Sequence, residues 1–384
     1  EMHDVFKRFA KVFEQTYTRF LDLQKAEAQA REAQIEAALE RVRARSMAMH
    51  QSDELKDVIK VIFDQMAHLN INAEHAGIVV DYEPKKDWHF WVAETQDIPA
   101  RITVPYLDLV WDRQFTEAKK KGKGFFTTQL DFEEKNSFYK ELLPHIQGLT
   151  KKAQDFYFSC PGLAASTVIQ KNIGLYIENF SGIPYTDEEN SILIRIGKVF
   201  QQTYTRFLDL QQAEAQAREA QIEAALERVR SRTMAMQHST ELSDTSALLF
   251  QQVQILGVPP WSCGFNIWEK EDTVFTSYMG SPDGGILKGY KIPLTEEAAF
   301  IHFKESRDRG DKLFIDVLEG DALETHYQYF QTLPGIKEIF EKRAQAGFPL
   351  PTFQINHLAN FSHGNLMFIT YEPCPEAHDI FIRF

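Results

Sequence analysis

The chain has 384 residues, room for two domains and at most three on the usual prior of roughly 150 residues each. Hydrophobic residues make up 43% and charged residues 25%, an ordinary globular mix that excludes wholesale disorder. With 42 Lys and Arg against 55 Asp and Glu the net charge is −13. The longest basic cluster, Lys119, Lys120, Lys121 and Lys123, is too small to offset that charge, which argues against nucleic acid as a partner.

No run approaches the ~20 consecutive apolar residues of a membrane-spanning helix, and the first residues lack the apolar core of a signal peptide. Cys160, Cys263 and Cys374 lie about a hundred residues apart and form no metal-type pair. An odd, sparse set suits a reducing compartment. The expectation is a cytoplasmic protein without membrane insertion.

A repeat organises the chain. Phe13 to Leu55, FEQTYTRFLDLQKAEAQAREAQIEAALERVRARSMAMHQSDEL, returns at Phe200 to Leu242 with seven of 43 positions changed and an offset of 187. Glu376 to Phe384, EAHDIFIRF, matches Glu1 to Phe9, EMHDVFKRF, at six of nine positions. Two units of about 187 residues are expected, cut in phase from a longer array or a larger protein. Beyond the copied segments the units diverge, but Val104-Pro105 answers Ile292-Pro293, Phe126 answers Phe314 and Tyr139 answers Tyr327 at an offset of 188. A shared mechanical element and two different detecting elements would produce that pattern.

The copied segment predicts a long helix. From Glu1 to Ala76 there is no proline or glycine, and from Glu188 to Leu256 only Gly197. Thr186-Asp187-Glu188-Glu189 has the form of a capping box, and Gly257 and Pro259-Pro260 stop the run. Leu21, Ala28, Ile35, Val42 and Met49 are spaced by seven, with Leu39 on the second seam position. Leu208, Ala215, Ile222, Val229 and Met236 repeat them, with Leu226. So narrow a stripe suits a parallel two-stranded coil between subunits, the alternative being a helix packed within its own chain. Glu27 and Arg31, four apart, support the solvent face. Past Met49 the stripe broadens to Leu55, Val58, Ile59, Ile62, Met66 and Leu69, a face suited to a sheet. Ser52 and Ser239 are placed to cap a fresh helix there; run straight, ~70 residues would extend ~105 Å.

Short apolar runs follow each helix. Residues 76–80, 88–92, 102–104 and 173–177 read as strands in the first unit, and 263–268, 274–278, 290–292 and 365–370 in the second. Residues 115–121 and 298–309 read as helices. The fold class is α+β: two domains, each an antiparallel sheet flanked by helices, joined by long coiled-coil helices. The expected spans are 1–55 for a first helix, 56–187 for a domain, 188–242 for a connecting helix and 243–384 for a second domain.

The glycine-led strand Ile173-Gly174-Leu175-Tyr176-Ile177 and the acidic lead-in Thr186-Asp187-Glu188-Glu189 resemble GAF domains. LERVRARSMAMHQSDEL is similar to the signalling helix preceding such modules in bacterial sensor histidine kinases and related nucleotide cyclases. The resemblance implies two GAF-like domains with a six-stranded sheet between helices, sensing of a small ligand or a protein, and dimerisation along the helices. A parallel homodimer is therefore expected, in a two-component signalling protein whose output domain lies in the same polypeptide beyond this segment.

Chemistry is scarce. Each cysteine sits beside proline or glycine, which disfavours a covalent chromophore, and the cyclic-nucleotide signature is not recognisable. His50 falls on Gln237 in the repeat, with His238 shifted about 100° around a helix, which a phosphoacceptor would not tolerate. Asp316, Glu319, Asp321, Glu324 and His326 read as a solvated acidic face rather than a metal site, and His357 and His363 as strand or turn polar groups. Ser281-Pro282-Asp283-Gly284-Gly285 reads as a hairpin turn, not a phosphate loop. No nucleophile stands beside a base. No catalytic residue, metal or cofactor is assigned, other than an unidentified small-molecule ligand. Its pocket is expected around Trp88, Trp91, Tyr106 and Trp111 in the first unit and Trp268, Tyr290, His302 and Tyr327 in the second, with Arg101 and Arg307 as anchors for an anion. The expected function is a non-catalytic tandem sensory region. The alternatives are a structural repeat assembling end to end, and part of a nucleotide cyclase or phosphodiesterase.

Overall fold

The computed structural model describes residues 2–94, 100–258, 260–269, 273–280, 286–345, 347 and 349–384. The expected turn Ser281-Pro282-Asp283-Gly284-Gly285 and Pro259 lie outside the described residues. The fold is α+β, in two compact units, Glu1–Gln212 and Ala213–Phe384. The division falls inside the long helix Asp187–Met234, which occupies most of the span expected as a connecting helix.

The first unit begins with α1 (Met2–Met47) and α2 (Leu55–His68), joined through a short 3-10 turn, Ser52–Glu54. There follow β1 (His75–Val80), β2 (Trp88–Glu94), β3 (Arg101–Val104), α3 (Val110–Lys120), β4 (Phe125–Leu130), α4 (Phe132–Leu142), α5 (Lys151–Ser159), β5 (Leu163–Ile169), β6 (Ile173–Asn179) and α6 (Asp187–Met234). The strands form one antiparallel sheet in the order β3-β2-β1-β6-β5-β4. The second unit continues with α7 (Leu242–Ile255), β7 (Ser262–Trp268), β8 (Val274–Gly280), β9 (Ile286–Pro293), α8 (Ala298–Arg309), β10 (Leu313–Glu319), α9 (Gly320–Phe330), α10 (Ile336–Gln345), β11 (Phe353–Phe361), β12 (Gly364–Thr370) and α11 (His378–Arg383). Its sheet, β9-β8-β7-β12-β11-β10, repeats the topology of the first.

The long helix does not run straight through. After Met47 the backbone turns, and Gln51 is extended at φ −131°. Glu54 accepts from the His50 N–H at 3.3 Å, while Arg45 reaches Glu54 at 3.2 Å and Asp57 at 2.7 Å. α2 then folds back along α1: Arg41 donates to Gln65 Oε1 at 2.9 Å, and Arg31 to the Leu69 carbonyl at 2.9 Å. Arg31 also pairs with Glu188 at 3.0 Å, so its role is to tie three helical segments rather than to support a solvent face with Glu27. The second copy repeats the clamp. Arg228 reaches Gln252 at 2.9 Å, Arg218 the Leu256 carbonyl at 2.6 Å, and Arg232 both Glu241 and Asp244.

This hairpin corrects the expected intersubunit seam. Ile35, Leu39, Val42 and Met49 are buried in their own unit's core beside Val58, Ile62 and Met66 of α2. Ile222, Leu226 and Val229 are likewise buried within the second unit, and Met236 is half-buried, its sulfur accepting from Thr245 at 3.4 Å. The reason is tethering. The broad apolar face of α2 or α7 is held a few residues away and needs covering, so it takes the stripe before another chain does. Leu21, Ala28 and Ala215 remain exposed, and Leu208 is half-buried against the first unit's core.

Earlier in the copied segment, identical residues meet opposite surroundings. Phe200, Tyr204 and Phe207 of α6 pack into the first unit's core, with Phe200 at 0% exposure. Their counterparts Phe13, Tyr17 and Phe20 on α1 are exposed, Phe13 at 72%. Arg195 bonds Glu32 at 2.7 Å and Glu36 at 2.6 Å, and in the second unit Arg383 bonds the repeat partners Glu219 and Glu223 at 2.5 and 2.6 Å. α6 from its N-terminus and α11 thus make equivalent closing contacts.

Strand parity sorts the two faces of each sheet. In the first unit Ile78, Val80, Leu175 and Ile177 face the helices α1, α2 and α6, whereas Val79 and Tyr176 face α3. Gly77 lets the Tyr176 ring lie across β1; a Cβ there would sit 2.3 Å from it. In the second unit the helix-packed face carries Cys263, Phe368 and His357, with Phe381 of α11 stacked on Phe368 at 4.1 Å. His357 Nε2 lies 3.0 Å from Thr370 Oγ1, and burial, reinforced by His378, lowers its pKa from 6.5 to about 4. The folded chain then binds fewer protons than the unfolded one between those values, so stability is complete above about pH 6.5 and falls as pH drops toward 4. Each tenfold change in proton affinity is worth ~1.4 kcal/mol, so urea unfolding should show a loss of up to a few kcal/mol across that window, and His357→Gln should flatten it. An unchanged slope in the variant would contradict the assignment.

Candidate ligand cavities

Each sheet has a second face, covered by the remaining helices, and each encloses a cavity there. The first holds about 70 Å³ and the second about 40 Å³. One water needs roughly 10–15 Å³ on this measure, so both admit a few waters or a small molecule.

The first cavity is apolar with an acidic side. Trp88 and Phe90 of β2 face it, as do His75 of β1 and Glu178 of β6, neighbours across the strand pair. His75 Nδ1 lies 2.8 Å from Glu178 Oε2, and both residues are buried. Asp112 sits in the first turn of α3, where its carboxylate accepts the Leu109 N–H at 3.0 Å. Burial pushes the Asp112 carboxyl up, against the lowering effect of the Leu109 and Leu107 N–H groups. Trp111 donates to Thr167 Oγ1 at 3.1 Å. The buried Trp88 Nε1 has no hydrogen-bond partner among the described residues.

The second cavity differs at matching positions. By strand register Ser262 stands where His75 does and Ile369 where Glu178 does. Charge enters instead from α10, whose Arg343 is buried with its guanidinium 4.4 Å from the Trp261 ring centroid. Tyr327 of α9 donates to Gln354 Oε1 at 2.5 Å, and Gln354 donates on to Asn356 at 2.7 Å. Burial raises the Tyr327 pKa, with Arg343 acting the other way. Deeper in the wall, His326 Nδ1 lies 3.2 Å from Glu297 Oε2. Burial works against the Glu297 carboxylate, yet His326 and the Ala299 and Phe300 N–H groups outweigh it and lower its pKa.

Of the eight pocket residues expected from sequence, the structure places Trp88, Trp111, Tyr290 and Tyr327 in the cavity walls. The other four lie outside those walls. Trp91 has the opposite strand parity to Trp88 and packs toward the helices, 5.2 Å under Arg101. Tyr106 packs half-buried on the Trp88 and Trp111 cluster without lining the cavity, its hydroxyl donating to Asp108 at 2.9 Å. Trp268 stands at the far end of β7 under Arg307, and His302 turns outward on α8, 3.5 Å from Asp316. Arg101 and Arg307 accordingly stack on tryptophans outside the cavities. Sequence reading missed His75, Asp112, Glu178, Trp261, Asn266 and Arg343. The available signal was a polar residue at a buried parity position, such as Asn266 in Ser262–Trp268.

Among the described residues, no three His, Cys, Asp or Glu side chains converge as a metal site, and no helix is long and apolar enough to cross a membrane. No protein-family model matches the sequence, and no curated protein does. Among solved structures the chain is similar to a bacteriophytochrome from the photosynthetic bacterium R. palustris, at 8% identity and a TM-score of 0.35, over 88% of this chain and 63% of that one. It therefore spans less than two thirds of that protein's length. It is also similar to the GAF domain of an Acinetobacter phosphoenolpyruvate-protein phosphotransferase, at 9% identity and a TM-score of 0.30, over 44% of this chain and 93% of that domain.

The two cavity tryptophans of the first unit should respond differently to replacement. Trp111→Phe strands the buried Thr167 hydroxyl, whereas Trp88→Phe removes a donor with no protein partner. Urea titration should show Trp111→Phe costing about 1 kcal/mol more than Trp88→Phe. The reverse order would mean that the Trp88 N–H is bonded within the cavity.

Proposed function

We propose that the chain is a non-catalytic tandem sensory region of a cytoplasmic signalling protein of the sensor histidine kinase type, built from two GAF-like modules. Small molecules enter the cavities, and the helices on the opposite face of each sheet carry the response to an output domain elsewhere in the polypeptide. One observation carries the reading: α6 is a single helix of 48 residues whose first part packs on the first unit's sheet and whose later part clamps α7. A shift imposed by the first cavity on its sheet bears directly on the part of α6 packed there.

The subunits pair in parallel through the stretch of the copied helix left open by the hairpins, around Leu21, Ala28 and Ala215. Weak, polar packing there keeps alternative registers within a few kcal/mol, as a two-state relay needs. The exposed Phe6, Phe9, Phe13, Tyr17 and Phe20 favour a second reading, an end-to-end assembly in which that stripe closes another sheet.

Single cysteines at Ala28 or Ala215 in a cysteine-free background should crosslink symmetrically into one dimer band, while cysteines at the buried Ile35 or Ile222 should not. Monomer at every position would contradict the paired relay, and a ladder of higher species would support end-to-end assembly instead.

A further inference from the structure

The second cavity has unspent hydrogen-bonding capacity of both signs. Trp261 Nε1, on a residue 5% exposed, has no acceptor among the described residues. Asn266 Oδ1, on a residue 0% exposed, has no donor among them, although the Nδ2 of the same amide donates to Asn365 Oδ1 at 2.9 Å and to Met367 Sδ at 3.5 Å. Both residues line the cavity. A buried, unanswered donor or acceptor costs roughly 1–3 kcal/mol, and native interiors keep few of them without a reason. The Asn266 amide is held by Asn365, and with Nδ2 as the donor of that bond the Asn266 oxygen is the atom left for a ligand.

The charge of the wall selects among ligands. Arg343 supplies a fixed positive charge beside Trp261, stacked on the indole that carries the unanswered N–H. No carboxylate is among the residues lining this cavity, in contrast to the first cavity with Glu178 and Asp112. An acceptor group carrying negative charge therefore belongs at the Trp261 and Arg343 end, and a donor group at Asn266. The volume, about 40 Å³, is about three water positions, which limits the occupant to a few non-hydrogen atoms unless the walls move.

We propose that the cavity of the second unit binds a small hydroxy- or amino-carboxylate, its carboxylate at Arg343 and Trp261 and its hydroxyl or amine donating to Asn266 Oδ1. This assigns a ligand class to one cavity of the sensory reading and rests on that reading for its purpose. The first cavity, with a carboxylate on its wall at the matching strand position, rejects the same ligand. The two units then answer to different chemistry through one kind of helix.

Calorimetric titration of the full chain with glycolate and glycine tests the assignment, with acetate and ethylene glycol as probes lacking the donor and the charge. Glycolate or glycine should bind once per chain, acetate about tenfold more weakly, and ethylene glycol not measurably. Trp261→Phe keeps the ring under Arg343 and removes only the N–H, and should weaken binding about tenfold without changing the circular dichroism spectrum. Arg343→Met should abolish binding; if that variant does not fold, Trp261→Phe decides. Equal binding of ethylene glycol, no binding of either donor-bearing acid, or full affinity in Trp261→Phe overturns the proposal. The Ala28 crosslink separates the two levels. Carboxylate binding without a dimer band leaves the ligand class standing and removes the relay, whereas a dimer band with no carboxylate binding does the opposite.

Discussion

The packing of the copied helix against the helix that follows it governs the rest of the structure. Ile35, Leu39 and Val42 lie on Val58, Ile62 and Met66 because the chain reverses at residues 48–51. Burying each such side chain contributes roughly 1.5–3 kcal/mol, so the hairpin is worth several kcal/mol before its arginine clamps are counted. Those clamps recur at the same repeat positions in the second unit, down to the pairing of Arg45 and Arg232 with two acidic residues each. Near-identity of sequence here follows from near-identity of mechanical task. The shared task is to receive the return helix; the turns before it close a sheet only in α6, where Phe200, Tyr204 and Phe207 are buried.

The cavities lie on the opposite sheet face, free of that constraint, and there the units diverge. Topology is held while the wall chemistry changes sign, from a His75–Glu178 pair and Asp112 to Arg343 over Trp261. The sheet is thin enough that one strand presents both faces to different purposes. In β1, Ile78 belongs to the helical core and its neighbour Val79 to the cavity side. Any occupant that displaces the cavity side bears on the helices through a single layer of backbone.

Legibility in the sequence followed the strength of periodicity. The helices, the strands at 75–80 and 173–179, and the correspondence of Tyr139 with Tyr327 were accessible, and those two tyrosines do occupy matching cavity walls. Strand 163–169 was not, because Leu163-Ala164-Ala165-Ser166-Thr167 is buried on both faces and uses small residues that do not alternate. Strand 353–361 was hidden by Gln354, Asn356 and His357, polar side chains buried through hydrogen bonds to partners distant in sequence or across the strand. The seam was misassigned from Ile35 onward because a heptad stripe reports that one partner helix exists, not whose it is. Trp91 falls outside the cavity walls because strand parity separates it from Trp88, whereas Trp268 shares the parity of Asn266 but stands at the far end of β7, and Tyr106 and His302 lie outside the strands.

The hairpin is the claim on which the two-unit architecture and the relay both stand, and one distance decides it. Spin labels at the exposed positions Glu40 and Asp64, diluted with unlabelled chain, report whether the second helix returns along the first. The structure predicts a separation within about 20 Å, two helix diameters, whereas a continuous rod would place the sites about 36 Å apart. The longer distance would contradict the account.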